Sequence, residues 1–243
     1  MKIVVVFKWS KNPQDARVGK DGAIDWRGVK MDANDDDPAV MEIAGAIVED
    51  GEIIGLTLGD GDTAWAAARG AARTMVVADA QTETNSSVTG EILAAAVRRV
   101  EGVDAVVIGD SNWDYGVVSA LIGQLGWPAV AGVVSATMDD GVLKVTQKIG
   151  STLHVFEAQG PVVLAVTASR SEKKVPGMKE VLMARKKPVE QVKLADLSLD
   201  PAGAVSSKGT RLPDTPPAEI IDGSDPAVAC DQLIAALRAD GVL

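Results

Sequence analysis

Hydrophobic positions fall into short, separated runs whose spacing changes along the chain. Ile3-Val4-Val5-Val6-Phe7 is continuous, rich in β-branched residues and bounded by Lys2 and Lys8, the pattern of a strand buried on both faces. Trp9 to Asp36 has no sustained period, is punctuated by Asn12-Pro13 and Asp21-Gly22, and is expected to be irregular. A helix is predicted from Asp37-Pro38. Asp is a favoured cap, and Pro is tolerated at the first helical position because its missing N–H has no helical partner there. Val40, Ile43, Ala44 and Ile47 then recur on one face. Ile53–Leu58, ending at Gly59, and Thr74–Val77 read as strands, with a short Ala-rich helix over Asp62–Arg69 between them. Leu93, Ala96, Val97 and Val100 repeat the helical spacing, and Ala105–Ile108 is another buried strand, ended by Gly109. Val118, Leu121, Ile122 and Leu125 mark a further helix, stopped by Gly126 with Pro128 beyond it. This alternation predicts an α/β fold: a Rossmann-like, mostly parallel sheet with helices on both faces.

The pattern changes after Val130. Val133–Met138 and Val142–Gln147 flank Asp139-Asp140-Gly141, a hairpin signal, and Ser151–Glu157 and Val162–Val166 follow as strands. Antiparallel strands are therefore expected at the sheet edge. Arg170 to Lys193 turns basic, with eight Lys and Arg against three Glu. Leu194 to Gly223 is rich in Pro, Ser, Asp and Gly and reads as extended. A last helix is predicted from Asp225-Pro226. Cys230, Leu233, Ile234 and Leu237 form its apolar stripe, and the thiol is expected to be a buried packing group.

Composition narrows the function classes. The 243 residues carry a net charge of −10, which argues against bulk nucleic-acid binding, since neutralising phosphates needs clustered Lys and Arg. A single cysteine, Cys230, excludes an internal disulfide framework, and a single histidine, His154, excludes a two-His metal centre. His154 lies in a strand-like stretch without an acid–base partner nearby and reads as structural. The longest apolar runs, Ile3–Phe7 and Pro161–Val166, are far shorter than the roughly 20 residues of a membrane-spanning helix. No signal peptide is apparent, so a cytoplasmic protein that does not insert into membranes is expected.

In open parallel sheets ligands bind beyond the carboxyl ends of the strands, which here are Phe7-Lys8, Leu58-Gly59 and Ile108-Gly109. The segment from Gly109 to Gly116 leads into a helix whose first N–H groups favour a phosphate. Asp110 and Asp114 within it oppose a phosphate but suit a ribose hydroxyl. An ordinary βα loop is the alternative. Gly59-Asp60-Gly61-Asp62 lacks the Gly-Lys-Ser/Thr ending of a phosphate loop and reads as a turn, with Asp62 capping the next helix. Asp35-Asp36-Asp37 reads as a solvated, helix-capping acidic turn rather than a cation site. Lys173-Lys174-Val175-Pro176-Gly177-Met178-Lys179 sets apolar residues among lysines in a loop bent by Pro and Gly. That mixture suits docking to an acidic partner through a small hydrophobic anchor.

Taken in order, these pieces resemble the β subunit of electron transfer flavoproteins, particularly the branch found with the nitrogen-fixation and carnitine-pathway homologues. The resemblance runs over nearly the whole chain. It includes Met1-Lys2-Ile3-Val4-Val5-Val6-Phe7-Lys8, Asn34 eight residues before Glu42, and Gly70-Ala71-Ala72-Arg73 where the family has Gly-Ala-Asp-Arg. Leu125-Gly126-Trp127-Pro128 before a hairpin and Pro161-Val162-Val163-Leu164-Ala165-Val166 continue it. The most specific stretch runs from Val175-Pro176-Gly177-Met178 to Lys186-Lys187-Pro188, similar to the family's partner-recognition loop and the lysine-rich strand after it.

The resemblance implies a domain over residues 1–188 and a C-terminal arm over 189–243 that embraces an α subunit. It implies a redox-active FAD held mainly by that α subunit, and electron passage from a flavoprotein dehydrogenase to a downstream acceptor. It also implies a second nucleotide, AMP in most members and a second FAD in electron-bifurcating ones. By position that nucleotide would contact Val6, Phe7, Asn34, Leu58, Gly59, Gly109, Asp110, Ser111, Asn112, Tyr115, Gly116 and Val117. Here the loop from Gly109 to Gly116 is shorter than in typical members and lacks their Asn-Gln-x-Gly. Docking to the dehydrogenase would use Lys173, Lys174, Val175, Pro176, Met178 and Lys179, with Val175 as the anchor. No acid–base catalysis and no metal are expected. The competing reading is an adenine-nucleotide-binding module of the universal-stress type, which predicts a colourless homodimer.

Overall fold

The computed structural model describes residues 1–48, 50–80, 85–110, 115–167, 175–199, 208–215 and 218–243. Among these, nine strands form one sheet. They are β1 (Lys2–Val6), β2 (Glu52–Leu58), β3 (Arg73–Val77), β4 (Ala105–Gly109), β5 (Ala129–Asp139), β6 (Val142–Ile149), β7 (Thr152–Ala158), β8 (Val162–Val166) and β9 (Val189–Val192). Their order is β7-β6-β5-β8-β4-β1-β2-β3-β9. From β9 across to β5 all neighbours are parallel, and β6 and β7 are added antiparallel. The α/β class with antiparallel edge strands is thus present as the hydrophobic pattern predicts.

Alternation along the strands divides the core into two layers. Val4 and Val6 of β1 pack with Leu93, Val97, Val118 and Leu121 from α3 (Ser86–Arg98) and α4 (Tyr115–Leu125). Ile3, Val5 and Phe7 face the other way and pack with Val40, Ile43, Ile47 and Trp65 from α1 (Asp37–Ile47) and α2 (Thr63–Ala68). Successive residues of a strand point to opposite faces, so a continuous apolar run serves both layers. Asp62 caps α2 as expected, accepting the Ala64 N–H at 3.0 Å.

The basic segment holds more regular structure than its composition suggests. Met178–Ala184 forms α5, within the stretch Val175 to Pro188 that was expected to hold the recognition loop and a lysine-rich strand. Met, Lys, Glu, Leu and Ala are all good helix formers, and the Glu180 carboxylate accepts the Gly177 N–H at 2.6 Å, satisfying a donor ahead of the first turn. After it, β9 pairs in register with β3, from Val189 opposite Thr74 to Val192 opposite Val77. The stretch expected to open the arm at 189 therefore begins as a sheet strand.

Arg73 ties three strands together, donating to Glu52 on β2 at 3.0 Å and to Glu190 on β9 at 2.8 Å. All three side chains are partly shielded, so screening by water is incomplete. Arg73→Met is expected to lower stability by about 1 kcal/mol, with the loss shrinking at high salt; urea denaturation at two ionic strengths measures it.

Two compact units are present: residues 1–17 with 24–208, and residues 18–23 with 209–243. The second contains α6 (Pro226–Ala239), capped by Asp225, whose carboxylate accepts the Ala227 N–H at 3.0 Å. No residue of α6 is buried. Cys230, expected inside a core, is exposed.

Candidate functional site

The carboxyl ends of β1, β2 and β4 open into a cavity of about 230 Å³. Val6, Phe7, Asn34, Leu58, Gly109 and Val117 line it, together with Lys8, Trp9, Asp37, Thr57, Ser86, Thr89, Leu93, Ile108 and Val118. The parallel order β2-β1-β4 brings these strand ends side by side; the first turns of α1 and α3 supply polar groups to the cavity, and that of α4 supplies Val117 and Val118. Asn85 starts α3 by accepting the Ser87 N–H at 3.1 Å, which sets Ser86 and Thr89 at the cavity.

Asp37 is the main electrostatic feature. It is 2% exposed, and its Oδ2 accepts the backbone N–H groups of Lys8 at 3.0 Å and Asn34 at 2.9 Å. Burial outweighs those donors and pushes its pKa up to about 8. The solvated acidic turn expected at 35–37 is therefore corrected at Asp37: its carboxyl turns back to β1, and backbone N–H groups replace its water. Thr57 is also buried, and its Oγ1 has no hydrogen-bond partner among the described residues.

Gly109 owes its identity to packing. A Cβ there would stand 2.9 Å from the Asp36 Cβ and 3.4 Å from Asp37 Oδ1, so any side chain would push α1 off the strand end. Gly59 sits at φ +62° in the turn after β2, and its N–H goes to the Val77 carbonyl at 2.9 Å. Asp110, beyond β4, accepts the Gly132 N–H through Oδ2 at 3.2 Å. Tyr115 is exposed, and Gly116 abuts Ser86. Gly59, Asp110, Tyr115 and Gly116 do not line the cavity, while Ser111 and Asn112 lie outside the described residues.

The model of the electron transfer flavoprotein domain matches residues 22–197. The chain belongs to the electron transfer flavoprotein family. This family consists of electron-carrying flavoproteins, and the matched span contains most of the sheet and much of the cavity wall. Val6, Phe7, Leu58, Ile108 and Val117 offer apolar walls to a planar ring, and Asn34, Asp37, Thr57, Ser86 and Thr89 offer hydrogen bonds. The volume is below the roughly 300–1,000 Å³ that enclose a drug-sized ligand. Among the described residues it suits one base better than a whole dinucleotide.

Of the residues that the family resemblance singles out for docking, Val175 and Met178 are 79% and 81% exposed, and Lys179 is exposed beside them. Pro176 is half-buried, and Lys173 and Lys174 lie outside the described residues. Leu182 and Met183 of α5 extend the exposed apolar surface. No group of three or more potential metal ligands occurs among the described residues. Nor is any described helix long and apolar enough to cross a membrane. His154 stands exposed on β7, its ring 6.5 Å from that of Phe156.

Sequence reasoning missed Asp37, Thr57, Ser86 and Thr89 as pocket residues. Asn85 was a readable helix-cap signal that would have placed Ser86 and Thr89 in a first turn. Nothing local marks Asp37 or Thr57.

The raised pKa of Asp37 has a consequence for stability. The unfolded carboxyl titrates near 3.8 and the folded one at about 8, so the folded state binds the extra proton between these values. Stability from this group is full below about pH 4 and is lost progressively as pH rises to about 8. Asp37→Asn is expected to flatten that decline, so its stability relative to the parent should rise from pH 5 to pH 8.5 in urea titrations.

Proposed function

We propose that this chain is the β subunit of a heterodimeric electron transfer flavoprotein. The observation that carries the reading is α6, a 14-residue helix none of whose residues is buried although it bears the stripe Cys230, Leu233, Ile234 and Leu237. An isolated amphipathic helix gains most of its stability from packing its apolar face, so a partner chain is the natural cover. β7 supports the same reading. This edge strand exposes Leu153, Val155 and Phe156 at 60%, 65% and 42% and carries no Lys, the kind of edge that soluble proteins keep paired or covered.

In this reading residues 189–243 act as an arm against an α subunit that holds the redox FAD, whose isoalloxazine supplies the electron chemistry when bound. The present chain orients that partner and docks the donor dehydrogenase through Val175, Pro176 and Met178, with Lys173, Lys174 and Lys179 attracting an acidic surface. It performs no acid–base chemistry itself, and the α subunit passes electrons on to a downstream acceptor. The strand-end cavity holds a single adenine mononucleotide, AMP, in preference to a second FAD, for the reason of size given above. Co-expression with the candidate α subunit, followed by a visible spectrum and quantification of flavin and AMP, tests this. A yellow heterodimer with one flavin and one AMP is expected. A colourless homodimer overturns the reading, and two flavins per heterodimer would replace AMP by a bifurcating FAD.

A further inference from the structure

On the nucleotide reading of the strand-end cavity, the hydrogen bonds around Asp37 bear on how that cavity selects its ligand. Both backbone N–H groups that reach Asp37 donate to the same oxygen, Oδ2. An oxygen already accepting two N–H donors leaves no direction for a proton of its own. The proton of the neutral carboxyl must then sit on Oδ1, which lies on the Gly109 side, 3.4 Å from where a Cβ of that residue would be. Gly109 and Asp37 both line the cavity. So does Thr57, whose buried Oγ1 is without a partner among the described residues. A buried polar atom left unsatisfied is unfavourable, and a ligand atom that engages it is favoured correspondingly.

We propose that Asp37 presents an Oδ1–H donor to the cavity and reads an unprotonated ring nitrogen of a purine base, while the Thr57 hydroxyl engages a neighbouring polar atom of the same ligand, so that nucleotide binding is proton-linked. Burial keeps the neutral form populated at neutral pH, against the lowering influence of the two N–H donors and of Lys8 after β1, and with the help of Asp36 ahead of α1. Arg69 at the end of α2 is in electrostatic range of Asp37, and Asp110 follows Gly109 with its Oδ2 turned to Gly132. An ionised Asp37 would set a negative charge against the lone pair of the ring nitrogen. Affinity is therefore retained while the proton is present and lost as pH rises through about 8.

Titration calorimetry of AMP, and of adenosine as a phosphate-free probe, into the nucleotide-stripped full-length protein tests this at pH 7 and pH 9. The phosphate is already doubly ionised across this window, its second pKa being about 6. Both ligands should bind roughly tenfold more weakly at pH 9, one unit above the midpoint. Asp37→Asn, whose amide cannot ionise, should reduce that ratio to about one. Thr57→Val should weaken both ligands by about tenfold at either pH. An affinity that is unchanged or rises toward pH 9, or a pH dependence that survives in Asp37→Asn, overturns the proposal. Carbon NMR of the Asp37 carboxyl in the ligand-free protein gives an independent readout. A midpoint near 4 overturns the proton assignment alone, leaving AMP binding intact. Absence of binding by both ligands at every pH removes the nucleotide reading and this inference with it, while the flavin heterodimer is judged separately by its spectrum.

Discussion

Replacing Leu233 and Leu237 together by Asp is expected to abolish the flavin heterodimer without lowering the thermal midpoint of the isolated chain. Both residues belong to the apolar stripe of α6, where Leu233 is 49% exposed and no residue is buried. Removing them costs this chain little core packing. A partner that covers the stripe would instead have to bury two carboxylates, which is far more costly than losing two apolar contacts. Central apolar anchors of an interface are worth about 2 kcal/mol or more each, so the pair should weaken association at least ~100-fold. Gel filtration with flavin absorbance, alongside a melting curve of the free chain, reads both halves of the expectation. An intact yellow heterodimer would show that the arm is not the clasp. A large drop in the melting point of the free chain would show that α6 packs on its own chain.

Phe7→Ala should produce the largest loss of fold stability, about 3–5 kcal/mol. Phe7 ends β1, is 2% exposed, and its ring lies 5.2 Å from Trp65 at an interplanar angle of 23°. Trp65 in turn carries the Arg69 guanidinium over its ring, 4.1 Å from the centroid. Trp65 would lose its stacking partner, and Arg69, whose pKa burial already depresses, would lose the order of the ring beneath it. At roughly 2–4 °C per kcal/mol for a protein of this size, the melting point should fall by about 10 °C. A loss under about 1 kcal/mol in urea denaturation would mean that the α1–α2 layer repacks freely. Because Phe7 also lines the cavity, the same variant should bind AMP more weakly even at temperatures where it is folded.

Much of the sheet was legible in the chain because its strands are buried on both faces and therefore read as short unbroken apolar runs. Ile3–Phe7, Ala105–Ile108 and Val162–Val166 are examples. The helices α1 and α3 were legible by their 3.6-residue spacing, and the hairpin of β5 and β6 by Asp139-Asp140-Gly141. The bounds of Val189–Val192 and its pairing were not, since a short strand beside a lysine cluster has no local signature and its partner β3 is more than a hundred residues away. α5 was hidden for a similar reason, its helical residues being masked by a neighbouring Pro-Gly bend and by charge. Cys230 was misplaced because an apolar stripe predicts that a helix packs, not what it packs against.

The sequence alone determined the alternation of strand and helix, the strand ends at which a ligand could bind, and the family to which the chain belongs, because these rest on local periodicity and on ordered motifs. Only the tertiary structure decided which of those ends share one cavity, why Gly109 has to be glycine, and that Asp37 is buried with both incoming N–H groups on one oxygen. These depend on atoms far apart in the chain, Lys8 with Asp37 and Asp36 with Gly109, and the protonation of a carboxyl follows from what surrounds it in space.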